Sequence, residues 1–165
     1  MTIHHDVLNL LLVATMVAAF DRFGSQFWLF TLLTLPGTFG HELMHWLMSF
    51  VLNGKPGRIS VWPRRNGNEW VLGEVVTHHP KWYNMAAISL APLLLLPVVY
   101  FGYLHFVSRT PLWSMTHWLG LYVMAAFIHG AMPSVTDLRL AAAYPIPFYS
   151  MALAGGIWLL SWVRL

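Results

Sequence analysis

Residues Phe27 to Leu52 read FWLFTLLTLPGTFGHELMHWLMSFVL, an apolar run interrupted by His41-Glu42-Leu43-Met44-His45. Length and composition predict a helix at membrane depth. Histidines four residues apart share one helix face, and Glu42 points toward the same neighbourhood. The spacing suits two imidazoles on one zinc ion, with a carboxylate beside the water that the ion would carry. The chain has only six acidic residues. A carboxylate in a membrane helix is expensive, so a functional role is the default expectation for Glu42.

The remainder of the chain agrees with a bilayer setting. Of 165 residues, 58% are hydrophobic and 9% charged, too few charges for a soluble domain of this size. The expectation is an all-α polytopic membrane protein forming a single domain over residues 1–165. The formal charge of +3 comes from seven Arg and two Lys that gather mainly in one loop. They read as orientation signals and not as a nucleic-acid footprint. The absence of cysteine excludes disulfides, thiolate zinc sites and iron–sulfur clusters. A metal must then be held by His, Asp, Glu, carbonyls or water.

Hydropathy predicts about five transmembrane helices: Ile3 to Phe20, Gln26 to Leu52, Tyr83 to Val107, Leu112 to Ala143, and a fifth after Pro145 and Pro147 that ends near Val163. The first has no Lys or Arg before it, so it is expected to be a retained helix and not a signal peptide. Between helices two and three the pattern changes to strands. Arg58 to Trp62 alternates, Asn66-Gly67 signals a hairpin turn, and Glu69 to Thr77 resumes strand character. Trp62 and Trp70 flank the turn at an expected membrane interface. Lys55, Arg58, Arg64, Arg65, Lys81 and Arg139 fall on one side, against Arg22, Arg109 and Arg164 on the other. That bias predicts a cytoplasmic hairpin and N-terminus, with the C-terminus outside.

A catalytic zinc takes three protein ligands and keeps one position open. The fourth helix offers two candidates for the third ligand, His129 and Asp137. Asp137 lies about six residues before the end of its helix, and the histidine pair about 7 to 11 before the end of theirs. His129 is two turns away, about 12 Å at 1.5 Å per residue, so Asp137 is the better match in depth. The alternative for Asp137 is an ion pair with Arg139 or a helix-end charge. His129 reads either as a packed structural histidine or as a catalytic donor to the substrate carbonyl and developing oxyanion. Pro133, between them, predicts a kink that turns carbonyls toward a cavity.

Taken together, these residues resemble the site-2 protease family of intramembrane zinc metalloproteases. The matching pieces are His41-Glu42-Leu43-Met44-His45 on a membrane helix, a β-hairpin directly after it, Ser89-Leu90-Ala91-Pro92-Leu93, and an Asp late in a later helix. The similarity spans a core of roughly residues 27–138. It implies that His41, His45 and Asp137 bind Zn2+ and that Glu42 activates water. Asp137 stands in Thr136-Asp137-Leu138, where the family commonly has a Gly after the Asp.

The expected activity is hydrolysis of a peptide bond in or near a transmembrane segment of a membrane protein substrate, with Glu42 as general base. The active site is expected near the cytoplasmic face, and the hairpin edge is expected to take an unwound substrate as an added strand. No PDZ-like or nucleotide-sensing stretch occurs in these residues. Selection is therefore expected from the bundle, the hairpin or a separate regulatory partner in the lipid bilayer. Three other readings fit parts of the pattern: a non-catalytic membrane regulator of this fold, a metal-ion transporter, and a di-iron oxygenase. The last needs several histidine boxes, and only one is present. His78-His79 reads as a solvated loop pair with a metal or gating role as its alternative, His105 and His117 read as interfacial residues, and the sequence sets neither the substrate nor the oligomeric state.

Overall fold

The computed structural model describes residues 3–67, 69–144 and 146–163; Pro145 and Arg164, used in the sequence reading, lie outside them. Helix α1 (Ile3–Arg22) leads through a single 3-10 turn into α2 (Phe27–Val51). Four short strands follow: β1 (Pro56–Ser60), β2 (Arg64–Asn66), β3 (Glu69–Val71) and β4 (Glu74–Thr77). Helices α3 (Met85–Ser89), α4 (Leu95–His105), α5 (Met115–Gly130), α6 (Val135–Ala143) and α7 (Ile146–Val163) complete the chain.

The α2 helix stops where expected. Asn53 and Lys55 take left-handed backbone angles, with φ 54° and 52°, and the Gly54 N–H returns to the Ser49 carbonyl at 2.7 Å. Pro36 sits inside α2 and removes one ladder bond. Directly after it, Gly37 presses its backbone against the backbones of Ala126 and Gly130 on α5. Two glycines at a helix crossing let the main chains approach as close as they can.

The strands form one interrupted hairpin. β1 pairs antiparallel with β4, with a register irregularity between Pro56 and Ile59, and β2 pairs antiparallel with β3. Gly67 makes the turn at φ +60°. Contacts with α2 hold the hairpin: Trp46 Nε1 donates to the Gly57 carbonyl at 3.1 Å, Ser49 Oγ meets Thr77 Oγ1 at 3.3 Å, and the Trp70 ring stacks on Phe27 at 4.2 Å between centroids.

Two helices expected to be continuous are broken, each at a proline. Residues 83–107 divide into α3, a 3-10 turn over Ala91–Leu94 and α4, with Pro92 at the start of that turn. Residues 112–143 divide into α5 and α6, bent by 47° around Pro133. Proline brings no N–H to the carbonyl four residues earlier, so each break coincides with a missing ladder bond.

The described residues contain two helical stretches long and apolar enough to cross a membrane, His5–Ser25 and Ala91–Arg109, and a third if bent α5–α6 is one span. The α2 helix is not among them, because His41, Glu42 and His45 lower its hydropathy. It is nevertheless about 37 Å long at 1.5 Å per residue. Polarity is distributed inside-out: Asn9, Thr34, Ser49, Asn84 and His117 are buried, while Leu10, Leu32, Phe50 and Val51 are exposed. A bilayer setting favours that arrangement. The apolar core lies between α1 and α5, from Val13 and Phe20 to Leu121, Ala125 and Ala126.

The packing sets which ends of α1 and α5 lie together. Alternating spans would put the N-terminus and the Arg109 turn on opposite faces. Instead Asn9 bonds Tyr103 at 3.3 Å and His117 at 3.1 Å, and His117 contacts Thr110 at 3.1 Å. The first turns of α1 and the turn before α5 therefore share one end of the bundle, because α1 packs alongside α5 over its length.

Candidate metal centre

The centre forms where α2 crosses the end of α5. His41 Nδ1 lies 2.8 Å from the Gly130 carbonyl, and His45 Nδ1 lies 2.7 Å from the Ile88 carbonyl. A carbonyl can only accept, so both rings carry their proton on Nδ1 and present an Nε2 lone pair. The two Nε2 atoms are 3.0 Å apart.

Both carbonyls are available because of the helix breaks. In a continuous helix Ile88 would receive the N–H of residue 92, but that residue is Pro92. Gly130 would receive the N–H of Ser134, but α5 has ended before Pro133 and the Ser134 N–H goes to Asp137 Oδ2 at 2.8 Å. The kink expected at Pro133 does turn a carbonyl toward the site, and His41 occupies it.

Asp137 completes the group. Its Oδ1 is 3.3 Å from His45 Nε2 and its Oδ2 is 3.4 Å from His41 Nε2. Two ligands about 2.0–2.1 Å from a tetrahedral zinc are about 3.3 Å from each other. The Nε2–Nε2 separation of 3.0 Å and the approach of one carboxylate oxygen to each imidazole, at 3.3 and 3.4 Å, are of that size, and His41, His45 and Asp137 form the metal-capable group among the described residues. The donor set of two neutral imidazoles and one carboxylate fits a zinc centre with an open position. The alternative pairing of Asp137 with Arg139 is not what the geometry shows. Asp137 is held by Ser134, whose Oγ donates to Oδ2 at 2.6 Å while accepting the Asp137 N–H at 3.1 Å. This is a reciprocal capping box at the start of α6.

Glu42 is buried, 6% exposed, and borders the same cavity of about 1150 Å³. The link between β3 and β4 lies directly against it. A Cβ on Gly73 would stand 2.5 Å from Glu42 Oε1 and 2.7 Å from its Cγ. Trp70, Val71, Leu72 and Gly73 line the cavity, as do Ile88 and Ser89.

His129 also borders the cavity but stands outside the ligand group. Its Nε2 faces Asp21 Oδ1 at 3.4 Å, and its ring meets the Phe20 and Phe30 rings at 6.0 and 5.6 Å. The Nε2 edge of the ring is therefore turned toward the end of α1. The sequence reading missed Ser134, Gly73 and the two carbonyl partners. Ser134-Val135-Thr136-Asp137 is legible as an [ST]-x-x-[DE] capping box; Gly73 and the carbonyls have no sequence signal by themselves.

The chain matches no protein-family model, no curated protein and no solved structure.

Proposed function

We propose that this chain is an intramembrane zinc metalloprotease of the site-2 type, hydrolysing a peptide bond in or near a transmembrane segment of a membrane protein. The observation that carries this reading is the convergence of His41 Nε2, His45 Nε2 and the Asp137 carboxylate beside buried Glu42 in one cavity. Those three side chains would hold the ion. Zinc in such a set polarises a carbonyl and lowers the pKa of bound water toward about 7. Glu42 accepts the water proton on its carboxylate and delivers it to the departing amine nitrogen. Gly130 and Ile88 hold the two imidazoles in one tautomer throughout.

A helical substrate hides its carbonyls in its own ladder and must unwind before attack. Residues 70–73, which wall the cavity next to Glu42, are suited to hold the unwound segment as an added strand. Lys55, Arg58, Arg64, Arg65 and Lys81 support a cytoplasmic position for the hairpin and the cavity mouth in a multi-pass membrane protein. The start of α1 then lies toward the opposite face. Substrate choice falls to the hairpin, the bundle or a separate membrane partner. His129 enters this reading as a wall residue paired with Asp21, and its oxyanion role is tested by His129→Ala.

The deciding experiment uses purified protein in liposomes with a transmembrane reporter substrate. Glu42→Gln should abolish cleavage while one zinc per chain stays bound. Cleavage at the wild-type rate would remove Glu42 as the base, and wild-type protein without zinc affinity would end the metalloprotease reading.

A further inference from the structure

The geometry points to Ser134 as a positioning residue that makes Asp137 a one-oxygen ligand and so reserves a coordination position for water. This inference rests on the metalloprotease reading and concerns the α5–α6 break. A carboxylate oxygen has about two in-plane acceptor sites. Both sites of Asp137 Oδ2 are taken by Ser134: the backbone N–H at 2.8 Å and the hydroxyl at 2.6 Å. Oδ1 takes neither of these bonds and faces His45 Nε2 at 3.3 Å, whereas Oδ2, its two acceptor sites already filled, stands 3.4 Å from His41 Nε2. The two oxygens therefore differ in what they can still accept. Oδ1 is the ligand atom, and Oδ2 is committed to the cap.

The consequence lies in the count of ligands. With two imidazole nitrogens and Oδ1, a tetrahedral zinc has three protein ligands and one open position, as a hydrolytic site requires. If Oδ2 were released, the carboxylate could chelate through both oxygens and occupy the place needed by water. The Ser134 hydroxyl is held in its own orientation by accepting the Asp137 N–H at 3.1 Å, so it cannot easily rotate away. Residues behind metal ligands commonly change affinity or activity by about 10–100-fold when removed.

The test uses Co2+ in place of zinc in the full-length, detergent-solubilised protein, because cobalt absorption reports coordination number. The main variant is Ser134→Gly, which removes the hydroxyl yet costs the helix start only a few tenths of a kcal/mol as an N-cap. Ser134→Thr keeps the hydroxyl and serves as the rescue. Wild type should show the intense visible bands of four-coordinate cobalt. Ser134→Gly should bind cobalt with weaker, higher-coordinate bands and lose about 10–100-fold in cleavage rate, and Ser134→Thr should restore both. An unchanged cobalt spectrum in Ser134→Gly overturns the role of Ser134 while leaving the metal centre standing. Wild-type protein that binds no cobalt overturns the metal centre, and the role of Ser134 with it.

Discussion

His45 donates its Nδ1 proton to the carbonyl of Ile88 at 2.7 Å, and that carbonyl is available because residue 92 is a proline. The relationship links a backbone defect to the tautomer of a candidate ligand. Pro92→Ala would supply an N–H four residues after Ile88 and let α3 run on toward α4. The restored ladder bond would compete with His45 for the carbonyl and free the imidazole to rotate. Losing such an outer partner costs about 10–100-fold in metal affinity. A zinc titration of the variant against wild type checks this, and equal affinities would show that the Ile88 carbonyl does not hold the ring.

Metal removal should be felt in stability. The site sets two Nε2 atoms 3.0 Å apart, both with lone pairs facing inward. Zinc binds the folded arrangement and not the unfolded chain, so zinc at a hundred times its dissociation constant adds about 2.7 kcal/mol. Thermal unfolding with chelator, then with zinc restored, should show a reversible rise in midpoint. His41→Ala should remove the response, and a midpoint indifferent to zinc in wild type would speak against the centre.

The histidine pair, Glu42 and the strand-forming loop were legible because each depends on local pattern: four-residue spacing, alternation and a glycine turn. Asp137 was reached by a depth comparison between helices, which the packing supports at the level of the ligand group. Helix continuity was less legible. Hydropathy averages over residues 83–107 and 112–143 and passes across Pro92 and Pro133, where the helices divide, whereas α2 runs on through Pro36. The relative direction of α1 and α5 was not legible for a related reason. Alternation along the chain assumes that each apolar run crosses the bilayer once, whereas Asn9 and His117 show which ends pack together. His129 borders the cavity, but its partner Asp21 comes from a helix end that the sequence reading had assigned no role.

Gly73 is predicted to be intolerant of any side chain. A single methyl there would sit 2.5–2.8 Å from three atoms of Glu42, closer than nonbonded atoms can settle. Either the β3–β4 link withdraws or the carboxylate is displaced. A displacement of about 1 Å in a reacting group can cost about 100-fold in rate. Gly73→Ala should therefore lower cleavage by about that factor with zinc content unchanged, and Gly73→Val should lower it further. Activity within a small factor of wild type for Gly73→Ala would show that the link is not seated on Glu42 in the working protein.

The crossing of α2 and α5 should be equally sensitive, but through folding. Gly37 and Gly130 touch main chain to main chain, and Gly130 also supplies the carbonyl for His41. A larger residue must push the helices apart, and overpacking of this kind typically costs about 1–3 kcal/mol. Gly37→Leu should lower the unfolding midpoint and weaken zinc binding together, because separation draws His41 from its carbonyl. Gly155→Leu on α7, where a Cβ meets nothing within 4 Å, is the control and should change neither.

At the far end of the bundle the buried network should matter for stability alone. Asn9 is 1% exposed; it accepts from His117 Nε2 at 3.1 Å and donates to Tyr103 at 3.3 Å. Tyr103 in turn donates to Asp6. Hydrogen bonds between membrane helices average only about 0.6 kcal/mol and reach about 1.7 kcal/mol. Removing Asn9, however, strands partners on two other segments, and a buried unsatisfied group costs about 1–3 kcal/mol. Asn9→Leu should therefore destabilise by about 1–3 kcal/mol in a denaturant series. Adding His117→Leu should cost less than the sum of the two single changes, since the shared bond is lost only once. Zinc affinity should stay at the wild-type value in both variants, because the network contributes no atom to the group of His41, His45 and Asp137. Additive losses, or a parallel fall in zinc affinity, would show that the two ends of the bundle are organised differently from this.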